Sequence, residues 1–501
     1  MRIFMLVMAM AISLGVAAQK AVNPAAFANT ITPEDLKRHL NIVASAEMEG
    51  RETATEGQRK AATYIENNFK ALGLIPGNNG SYQMDYPVFQ DTLTSAAVEV
   101  NGKAFEMNKD FTVNLFSGST SSLFGSEVVF AGNGIKDSSR NDYDGVDVRG
   151  KIVLLFPASG QTAPPTRGRG GAAGGASATA AGNGAAAVLI VQTNLTRAGT
   201  RGFQTLNRYR STNLPNTYYI TEQVARAIMG DDFTAARESV KSGAPKAKSY
   251  RANVHLEMVK GTSSIYSSNV IGYIEGTDLK DQYLFLTAHY DHLGKRGEVI
   301  YYGADDDGSG TVSILELAEA FTKAKAAGKG PRRTVVFMTV SGEEKGLWGS
   351  QYYSDNPIFP LDKTTADLNI DMIGRIDPKR KIGDSTNYVY VVGDDKLSSD
   401  LRLISEAQNK KYIKMELDYK YNDPKDTERI YYRSDHFNFA RKGVPIIFYF
   451  NGTHADYHQP TDTPDKINYS LMAKRAKLVF YTAWDMANRN DMLKRDIPLA
   501  P

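Results

Sequence analysis

Acidic and imidazole side chains in the second half of the chain are spaced so that they could bind metal ions. A His-Tyr-Asp-His run begins at His289, three consecutive aspartates begin at Asp305, and a Glu-Glu pair ends at Glu344. Asp371 and His458 follow. Imidazole and carboxylate groups are the ligands of catalytic zinc sites, and a paired site shares one carboxylate between its ions. This set could build a two-metal hydrolytic site.

Most of these residues directly follow predicted β-strands. The strands are short apolar runs with aromatic and β-branched residues, which is typical of buried parallel strands. They cover 283–288, 333–340 and 366–370, and they end beside His289, Glu343 and Asp371. Residues 309–326, with apolar positions at helical spacing, predict an amphipathic crossover helix. Ligands of open α/β sheets gather at the carboxyl ends of strands, so we expect these ends to meet.

The motifs resemble those of the M28 family of co-catalytic zinc aminopeptidases. That family is built around His-x-Asp, Asp-Asp-Gly-Ser-Gly, Glu-Glu-x-Gly, a lone Asp after a strand and a late His. The matching positions are 289–291, 306–310, 343–346, Asp371 and His458. The resemblance covers roughly the second half of the chain. It implies an α/β fold with a mixed, mostly parallel sheet sandwiched by helices, and two zinc ions per chain.

The resemblance also gives each metal-type residue a role. The implied ligands are His289 and Asp371 for one ion, Glu344 and His458 for the other, and Asp306 as the bridge. Asp305 is the rival for the bridging position, because three aspartates are consecutive, and His454 is a rival for His458. His292 and His436 are expected not to be ligands.

The reaction that the resemblance implies is peptide hydrolysis by a metal-bridged hydroxide. Glu343 would be the general base, which takes a proton from the shared water and later passes it to the leaving amine. Tyr457 stands where some relatives carry a tyrosine whose hydroxyl could stabilise an oxyanion. The carboxylate of Asp291 would accept the second N–H of His289. The expected substrates are peptides, which lose their N-terminal residues.

Other functions are compatible with the same fold. A glutamate-type carboxypeptidase would share the site and would need an arginine to bind a substrate carboxylate, for which Arg375 and Arg433 are candidates. A glutaminyl cyclase uses a single zinc ion, and the intact Glu343-Glu344 pair argues against it. A non-catalytic binding relative is disfavoured, because every implied ligand is retained.

Composition excludes several further classes. The 501 residues include 59 basic and 56 acidic side chains, for a formal net charge of +3, and no basic cluster that would indicate nucleic-acid binding. The chain has no cysteine, which excludes disulfides, thiol catalysis and thiolate zinc sites. Its length allows two sizeable cores.

The first 18 residues have the pattern of a secretory signal peptide. Met1-Arg2 is followed by the apolar run 3–16 and by Ala17-Ala18, where we expect cleavage. The run is shorter than the roughly 20 residues that a membrane span needs. The sequence therefore predicts an exported bacterial protein, periplasmic or secreted, with no membrane span.

The remaining chain is predicted to form a peptidase domain with an insert. Residues 19–90 would begin the peptidase domain, and residues 258–501 would complete it with the metal site. Residues 91–257, with short β runs and glycine turns, would form a β-rich insert. Two of its segments, 142–155 and 181–191, resemble the protease-associated domain that many secreted M28 enzymes carry.

Two local expectations complete the prediction. The glycine- and alanine-rich stretch 167–181 predicts a flexible surface loop. The alternating apolar residues of 267–276 predict a strand that runs beside the strand ending at His289.

Overall fold

The computed structural model describes residues 23–116, 118–157, 172–196, 201–208 and 214–499. The predicted signal peptide, 1–18, lies outside these ranges and stays a prediction. The chain divides into two compact units, one made of Met1–Tyr86 and Ser267–Pro501 and the other of Pro87–Tyr266. The second unit encloses the predicted insert, 91–257.

The first unit contains the following elements, with labels that run in chain order through both units. Its helices are α1 (Ala25–Ala28), α2 (Pro33–Val43), α3 (Glu56–Ala71), α7 (Gly310–Ala326), α8 (Trp348–Asp355), α9 (Asp400–Gln408), α10 (His436–Ala440) and α11 (Tyr469–Asn488). Its strands are β1 (Ile75–Pro76), the end of β10 (Lys248–Ile274), β11 (Leu279–His289), β12 (Lys295–Arg296), β13 (Val299–Ile300), β14 (Arg333–Val340), β15 (Thr364–Ile370), β16 (Tyr388–Val392), β17 (Glu416–Asp418) and β18 (Ile446–Phe450). Short 3-10 or π turns lie at Ala46–Arg51, Ala304–Ser309, Leu361–Lys363, Asn409–Ile413, Lys420–Asn422, Ile430–Tyr432 and Pro464–Lys466.

The sheet of the first unit has the order β17-β16-β18-β15-β11-β14-β10. Strand β11 pairs in parallel with both β14 and β15, and β15 pairs in parallel with β18. The pairs β10–β14 and β16–β18 are antiparallel. The predicted fold class, a mixed and mostly parallel sheet with helices, is confirmed.

The helices cover both faces of this sheet. Side chains alternate along β11, so that Leu284 and Leu286 join one buried apolar cluster and Phe285 joins another. The first cluster includes residues of α2, α3, α7 and α11, and the second includes residues of α8 and α10. Because both faces of the sheet are buried, the sequences of the parallel strands are continuous apolar runs.

The parallel register brings three strand ends to one edge. His289 at the end of β11 is opposite Val340, the last residue of β14, and Thr287 is opposite Asn369 near the end of β15. The chain therefore leaves neighbouring strands at one level, just before Glu343 and Asp371.

The predicted neighbour of the His289 strand is wrong. Residues 267–274 do form the end of a strand, but β10 pairs with β14, which lies between β10 and β11. The crossover helix α7 connects β11 to β14 and makes these two the parallel neighbours. An alternating pattern identifies a strand but does not identify its partner.

The second unit has its own apolar clusters. Its strands are β2 (Gln83–Val100), β3 (Lys103–Phe105), β4 (Phe111–Val113), β5 (Ser121–Phe130), β6 (Ile152–Leu155), β7 (Ala187–Val191), β8 (Arg201–Thr205), β9 (Asn216–Ile220) and most of β10, and its helices are α4 (Ala172–Gly182), α5 (Glu222–Met229) and α6 (Asp232–Lys241). The order β10-β5-β6-β7-β9-β4 includes parallel pairs from β5 to β9. Its identity as a protease-associated domain stays a prediction.

Two further observations concern helices. The loop predicted at 167–181 is wrong for its described part, since α4 begins at Ala172, and alanine is the strongest helix former. Among the helices that the structure describes, none combines the length and the hydropathy that crossing a bilayer requires.

A buried acid on α7 carries a proton in the folded protein. Glu316 is 1% exposed, and neither of its carboxyl oxygens has a hydrogen-bond partner among the described residues. Nε2 of His39 lies 3.5 Å from Oε1 of Glu316. Burial raises the pKa of Glu316 to about 8 and lowers the pKa of His39 to about 4. The two groups therefore form a neutral pair at pH 7.

Replacing Glu316 with Gln should stabilise the protein increasingly as the pH rises from about 4.5 to about 8. In this window the unfolded glutamate is ionised and the folded one keeps its proton, so the wild type loses stability as the pH rises. The difference should grow by at most on the order of 1.4 kcal/mol per pH unit. Thermal unfolding at several pH values measures it.

The matched control is Glu56→Gln on α3, where the carboxylate is exposed and pairs with Arg59. Its difference from the wild type should stay flat over the same window. Equal pH dependence of the two variants would contradict a neutral Glu316.

Candidate metal centre

The loops that follow β11, β14, β15 and β18 bring the predicted ligands together. His289 is the last residue of β11, Asp371 directly follows β15, and Glu343 and Glu344 follow β14. His458 lies in the loop after β18, and Asp306 lies in the turn Ala304–Ser309 before α7. All the metal-type residues predicted from the sequence meet at one edge of the sheet.

One group of ligand atoms surrounds the His289 imidazole. Its Nε2 lies 3.3 Å from Oδ1 of Asp306, 3.6 Å from Oδ1 of Asp371 and 4.0 Å from Oε2 of Glu343. Its Nδ1 lies 3.1 Å from the backbone oxygen of Asp291, and 3.7 Å from the carboxylate of that residue. Donation from Nδ1 to the carbonyl would leave the Nε2 lone pair facing the carboxylates. The predicted partner was the Asp291 carboxylate, so the residue is right and the accepting atom differs.

A second group surrounds the imidazole of His458. Its Nε2 lies 3.1 Å from Oδ2 of Asp306 and 3.1 Å from Oε2 of Glu344. Asp306 thus turns one oxygen to each group. It is the only carboxylate among the described residues with an oxygen within 4.0 Å of both His289 and His458.

The two rivals lie outside these groups and bond to each other. Nε2 of His454 is 3.1 Å from Oδ2 of Asp305. Oδ1 of Asp305 accepts the N–H of Gly374 at 2.6 Å. Both oxygens of Asp305 are engaged in this way, whereas Asp306, the predicted bridge, lies near both His289 and His458.

Asp307 lies within ligand distance of His289 and Asp371, but backbone donors occupy both of its oxygens. Oδ2 accepts the N–H of His289 at 3.2 Å, and Oδ1 accepts the N–H groups of Gly310 at 2.8 Å and Met372 at 3.0 Å. This carboxylate therefore fastens the end of β11, the start of α7 and the residue after Asp371 to one point.

Asp462 supports the neighbouring aspartates. Its carboxylate accepts the backbone N–H groups of Asp305, at 3.0 Å, and Asp306, at 3.2 Å. Burial raises the pKa of Asp462 to about 6.

Arg51 links the loops around the centre through hydrogen bonds. Its guanidinium is fully buried and donates to four backbone carbonyls, those of Val43, Tyr290, Tyr302 and Gly303, at 2.7–2.9 Å. Burial lowers its pKa to about 10, so it stays charged at neutral pH. The positive charge lies among the buried carboxylates.

His292, which the sequence left outside the predicted ligand set, lies beside the Glu344 group. His292 is fully buried, and its Nδ1 lies 2.7 Å from Oε1 of Glu344. The three side chains His292, Asp306 and Glu344 form a group whose ligand atoms all lie within 4.8 Å of one another. Its place three residues after His289 was the only signal in the sequence.

The donor set fits zinc ions. It consists of imidazole nitrogens and carboxylate oxygens, which zinc prefers in catalytic sites. Oδ2 of Asp306 and Oε1 of Glu344 are buried and have no hydrogen-bond partner within the described part of the chain. Buried carboxylate oxygens without donors are costly unless a cation neutralises them.

Glu343 and Tyr457 border the centre. Burial raises the pKa of the Glu343 carboxyl well above its usual range. The backbone N–H of Glu343 donates to Oδ1 of Asp291 at 3.1 Å, which fixes the loop. The Tyr457 hydroxyl accepts from Nη2 of Arg433 at 3.1 Å, and its ring stacks on His458 with centroids 3.9 Å apart. Burial also raises the pKa of Tyr457.

A pocket opens beside these groups. Its polar lining consists of Asp306, Glu343, Asp371, Arg433, Thr453 and Tyr457. The rest of the lining is apolar: Met372, Ile430, Phe448 and Phe450. A ligand bound here would contact both carboxylates and apolar side chains.

The two candidate arginines differ in their surroundings. Nη2 of Arg375 lies 3.0 Å from Oδ2 of Asp456, so its charge is neutralised. Arg433 contacts Tyr457 and lines the pocket, and it forms no ion pair with the described residues. Only Arg433 is placed to meet a bound anion.

Parts of the chain are similar to known peptidases. Residues 269–483 match the family model of Peptidase family M28. A probable leucine aminopeptidase of Trichophyton verrucosum is 32% identical over 207 residues, which are 40% of this chain and 53% of that protein. A probable zinc metalloprotease of Pyricularia oryzae is 27% identical over 261 residues, 44% of this chain and 50% of that protein. The chain spans about half the length of the curated relatives it matches.

Among solved structures, an aminopeptidase from Aneurinibacillus sp. strain AM-1 is similar over 95% of this chain and 99% of its own, with a TM-score of 0.55 and 20% identity. This likeness confirms the fold.

Replacing Asp307 with Asn should destabilise the protein by about 1–3 kcal/mol, the cost of leaving a buried donor without an acceptor. The amide oxygen can still accept from Gly310 and Met372, but the amide nitrogen would then face the N–H of His289. Chemical denaturation measures the loss. The control is Asp281→Asn, at an exposed position of β11, which should change stability little. Equal stability of the two variants would refute the fastening role of Asp307.

Proposed function

Because the chain belongs to peptidase family M28, we propose that it is a zinc-dependent aminopeptidase that hydrolyses N-terminal residues from peptides. The observation that carries this proposal is the position of Asp306, which turns one carboxylate oxygen to the His289 group and the other to the His458 group. Two imidazole and carboxylate groups that share one bridging carboxylate are what a paired hydrolytic centre requires.

The proposed ligands are the predicted ones. His289 and Asp371 would hold one zinc ion, Glu344 and His458 the other, and Asp306 would contribute to both. The ions would supply Lewis acidity, which activates water and polarises the scissile carbonyl.

Glu343 is the proposed general base. Its carboxylate lies at the edge of the His289 group, 4.0 Å from Nε2, and it lines the pocket. Burial raises its proton affinity, which suits a group that accepts a proton and then returns it to the leaving amine. Glu344 faces His458 and His292 instead, so the two adjacent glutamates would have different tasks.

Tyr457 is the proposed donor to the oxyanion. Its hydroxyl oxygen accepts the N–H of Arg433, so its own proton is free to donate to a negatively charged oxygen. The nearby guanidinium would favour that negative charge. The ring is held by stacking on His458, which limits its rotation.

The pocket supports a preference for apolar N-terminal side chains. Met372, Ile430, Phe448 and Phe450 would offer an apolar surface to the substrate side chain, with Glu343 and Asp371 available to the amine. A positively charged amine beside these carboxylates is electrostatically favourable.

The carboxypeptidase alternative depends on Arg433. Its unpaired guanidinium lines the same pocket and could bind a substrate carboxylate. The competing assignment, as partner of the Tyr457 hydroxyl, accounts for the same position without a carboxylate substrate. The second unit, Pro87–Tyr266, is proposed to be a protease-associated insert.

Peptides with a free N-terminus should be cleaved, and the same peptides with an acetylated N-terminus should not, because acetylation removes the amine that would sit beside Glu343 and Asp371. Among amino-acid anilides, leucine should be preferred to glutamate and lysine. A metal chelator should abolish the activity, and zinc should restore it. Product analysis by mass spectrometry identifies the end that is shortened. Release of C-terminal glutamate from acetylated peptides would favour the carboxypeptidase instead.

Replacing Glu343 with Gln should lower kcat by roughly 100-fold or more, the scale of a lost general base, while both ions stay bound. Replacing Glu344 with Gln should instead release one ion, and added zinc should restore part of the activity. Kinetics combined with metal analysis of both variants separates the two roles. If the variants exchange these behaviours, the assignment within the pair is reversed.

A further inference from the structure

His292 lies deep in the centre, and the backbone fixes its ring. Its backbone N–H donates to the carbonyl of Arg51 at 3.3 Å. The ring packs against Gly303, where an added Cβ would lie 2.4 Å from Cγ of the imidazole. Gly303 also has a positive φ of 55°, which favours glycine. The chain thus makes room for this imidazole and holds it in place.

The ring points its Nδ1 at the group around Glu344. Nδ1 lies 2.7 Å from Oε1 of Glu344 and 3.9 Å from Oδ2 of Asp306. The His458 ring approaches the same two carboxylates, with its Nε2 3.1 Å from each. The centroids of the two imidazoles are 5.9 Å apart and their planes are inclined by 66°. Two histidines therefore face one pair of carboxylates.

These short distances are not hydrogen bonds. Nδ1 of His292, Oε1 of Glu344 and Oδ2 of Asp306 are all buried, and none has an aligned hydrogen-bond partner in the described ranges. Atoms that bind one ion are close without being aligned, because each points at the ion. Ligands about 2.1 Å from zinc at the tetrahedral angle lie about 3.4 Å apart. The spacings of 2.7–3.9 Å around Glu344 bracket this value.

We propose that His292 is a further metal ligand, which binds through Nδ1 the ion that Glu344 and His458 hold. This inference rests on the proposed metal centre and adds a third imidazole to it. The two ions would then differ, with two imidazoles at the Glu344 position and one at the His289 position. A more fully coordinated ion exchanges less readily, so the ion at the His289 position should be lost first to a chelator.

The competing role for His292 is support of Glu344 without contact to the ion. A supporting imidazole would donate its Nδ1 proton to the carboxylate, and its loss would lower metal affinity by roughly 10–100-fold. The two roles differ in the number of imidazoles on the ions, which can be counted directly.

The test is proton NMR of the full chain loaded with two cobalt(II) ions, recorded in H2O and in D2O. Each metal-bound imidazole keeps one N–H, which gives an exchangeable signal strongly shifted by the paramagnetic ion. Three such signals are expected in the wild type and two in the His292→Asn variant. In chelator competition, the variant should lose affinity for one zinc ion by more than the roughly 100-fold that a supporting partner accounts for.

The control is His454→Asn, which removes a buried histidine bonded to Asp305 outside the centre and should keep three signals. Two signals from wild-type protein with two bound cobalt ions would overturn the His292 proposal and leave the proposed function intact. Failure to bind cobalt or zinc at all would overturn the proposed function itself. If His292→Asn does not fold, the wild-type count decides alone.

Discussion

The dominant constraint on this structure is the burial of many carboxylates at one edge of a sheet. Asp291, Asp305, Asp306, Asp307 and Asp462 are each at most 3% exposed. Buried anions are costly unless hydrogen-bond donors or cations neutralise them. Each of these side chains has such a partner in the protein, except for the oxygens that face the histidines. The arrangement of loops around the centre can be understood as the means of supplying those partners.

Backbone N–H groups and one arginine supply most of them. Asp307 and Asp462 accept backbone donors from the residues that carry the proposed ligands, so the supporting carboxylates also set the positions of the ligands. Arg51 contributes a buried charge while it ties four carbonyls of separate segments together. The same hydrogen bonds therefore stabilise the buried carboxylates and position the proposed ligands. Rigid placement of this kind is what a hydrolytic centre needs in order to hold its groups in register.

The two groups of ligand atoms share Asp306 but differ in their surroundings. The His289 group opens to the pocket through Glu343 and Asp371, whereas the Glu344 group has imidazoles on two sides. Under the proposed function, the substrate amine and the water molecule would bind on this open side, in the pocket that the apolar residues also line. If His292 is a ligand, the closed side holds its ion more firmly, and the division between a tightly held and a more accessible ion follows from the fold.

The sequence alone determined the fold class, the strands that end at His289, Glu343 and Asp371, and the identities of the residues that meet there, because apolar runs and metal-type side chains are local patterns. Tertiary structure decided what depends on contacts between distant segments. It separated Asp306 from Asp305 and His458 from His454 through hydrogen bonds that form only in the folded chain. It placed β10 beside β14, since strand order depends on packing between distant segments. It also brought His292 to Glu344, because Arg51 and Gly303 fix the loop conformation that orients the His292 ring. A residue's type is written in the sequence, but the direction in which a buried side chain points is set by its neighbours.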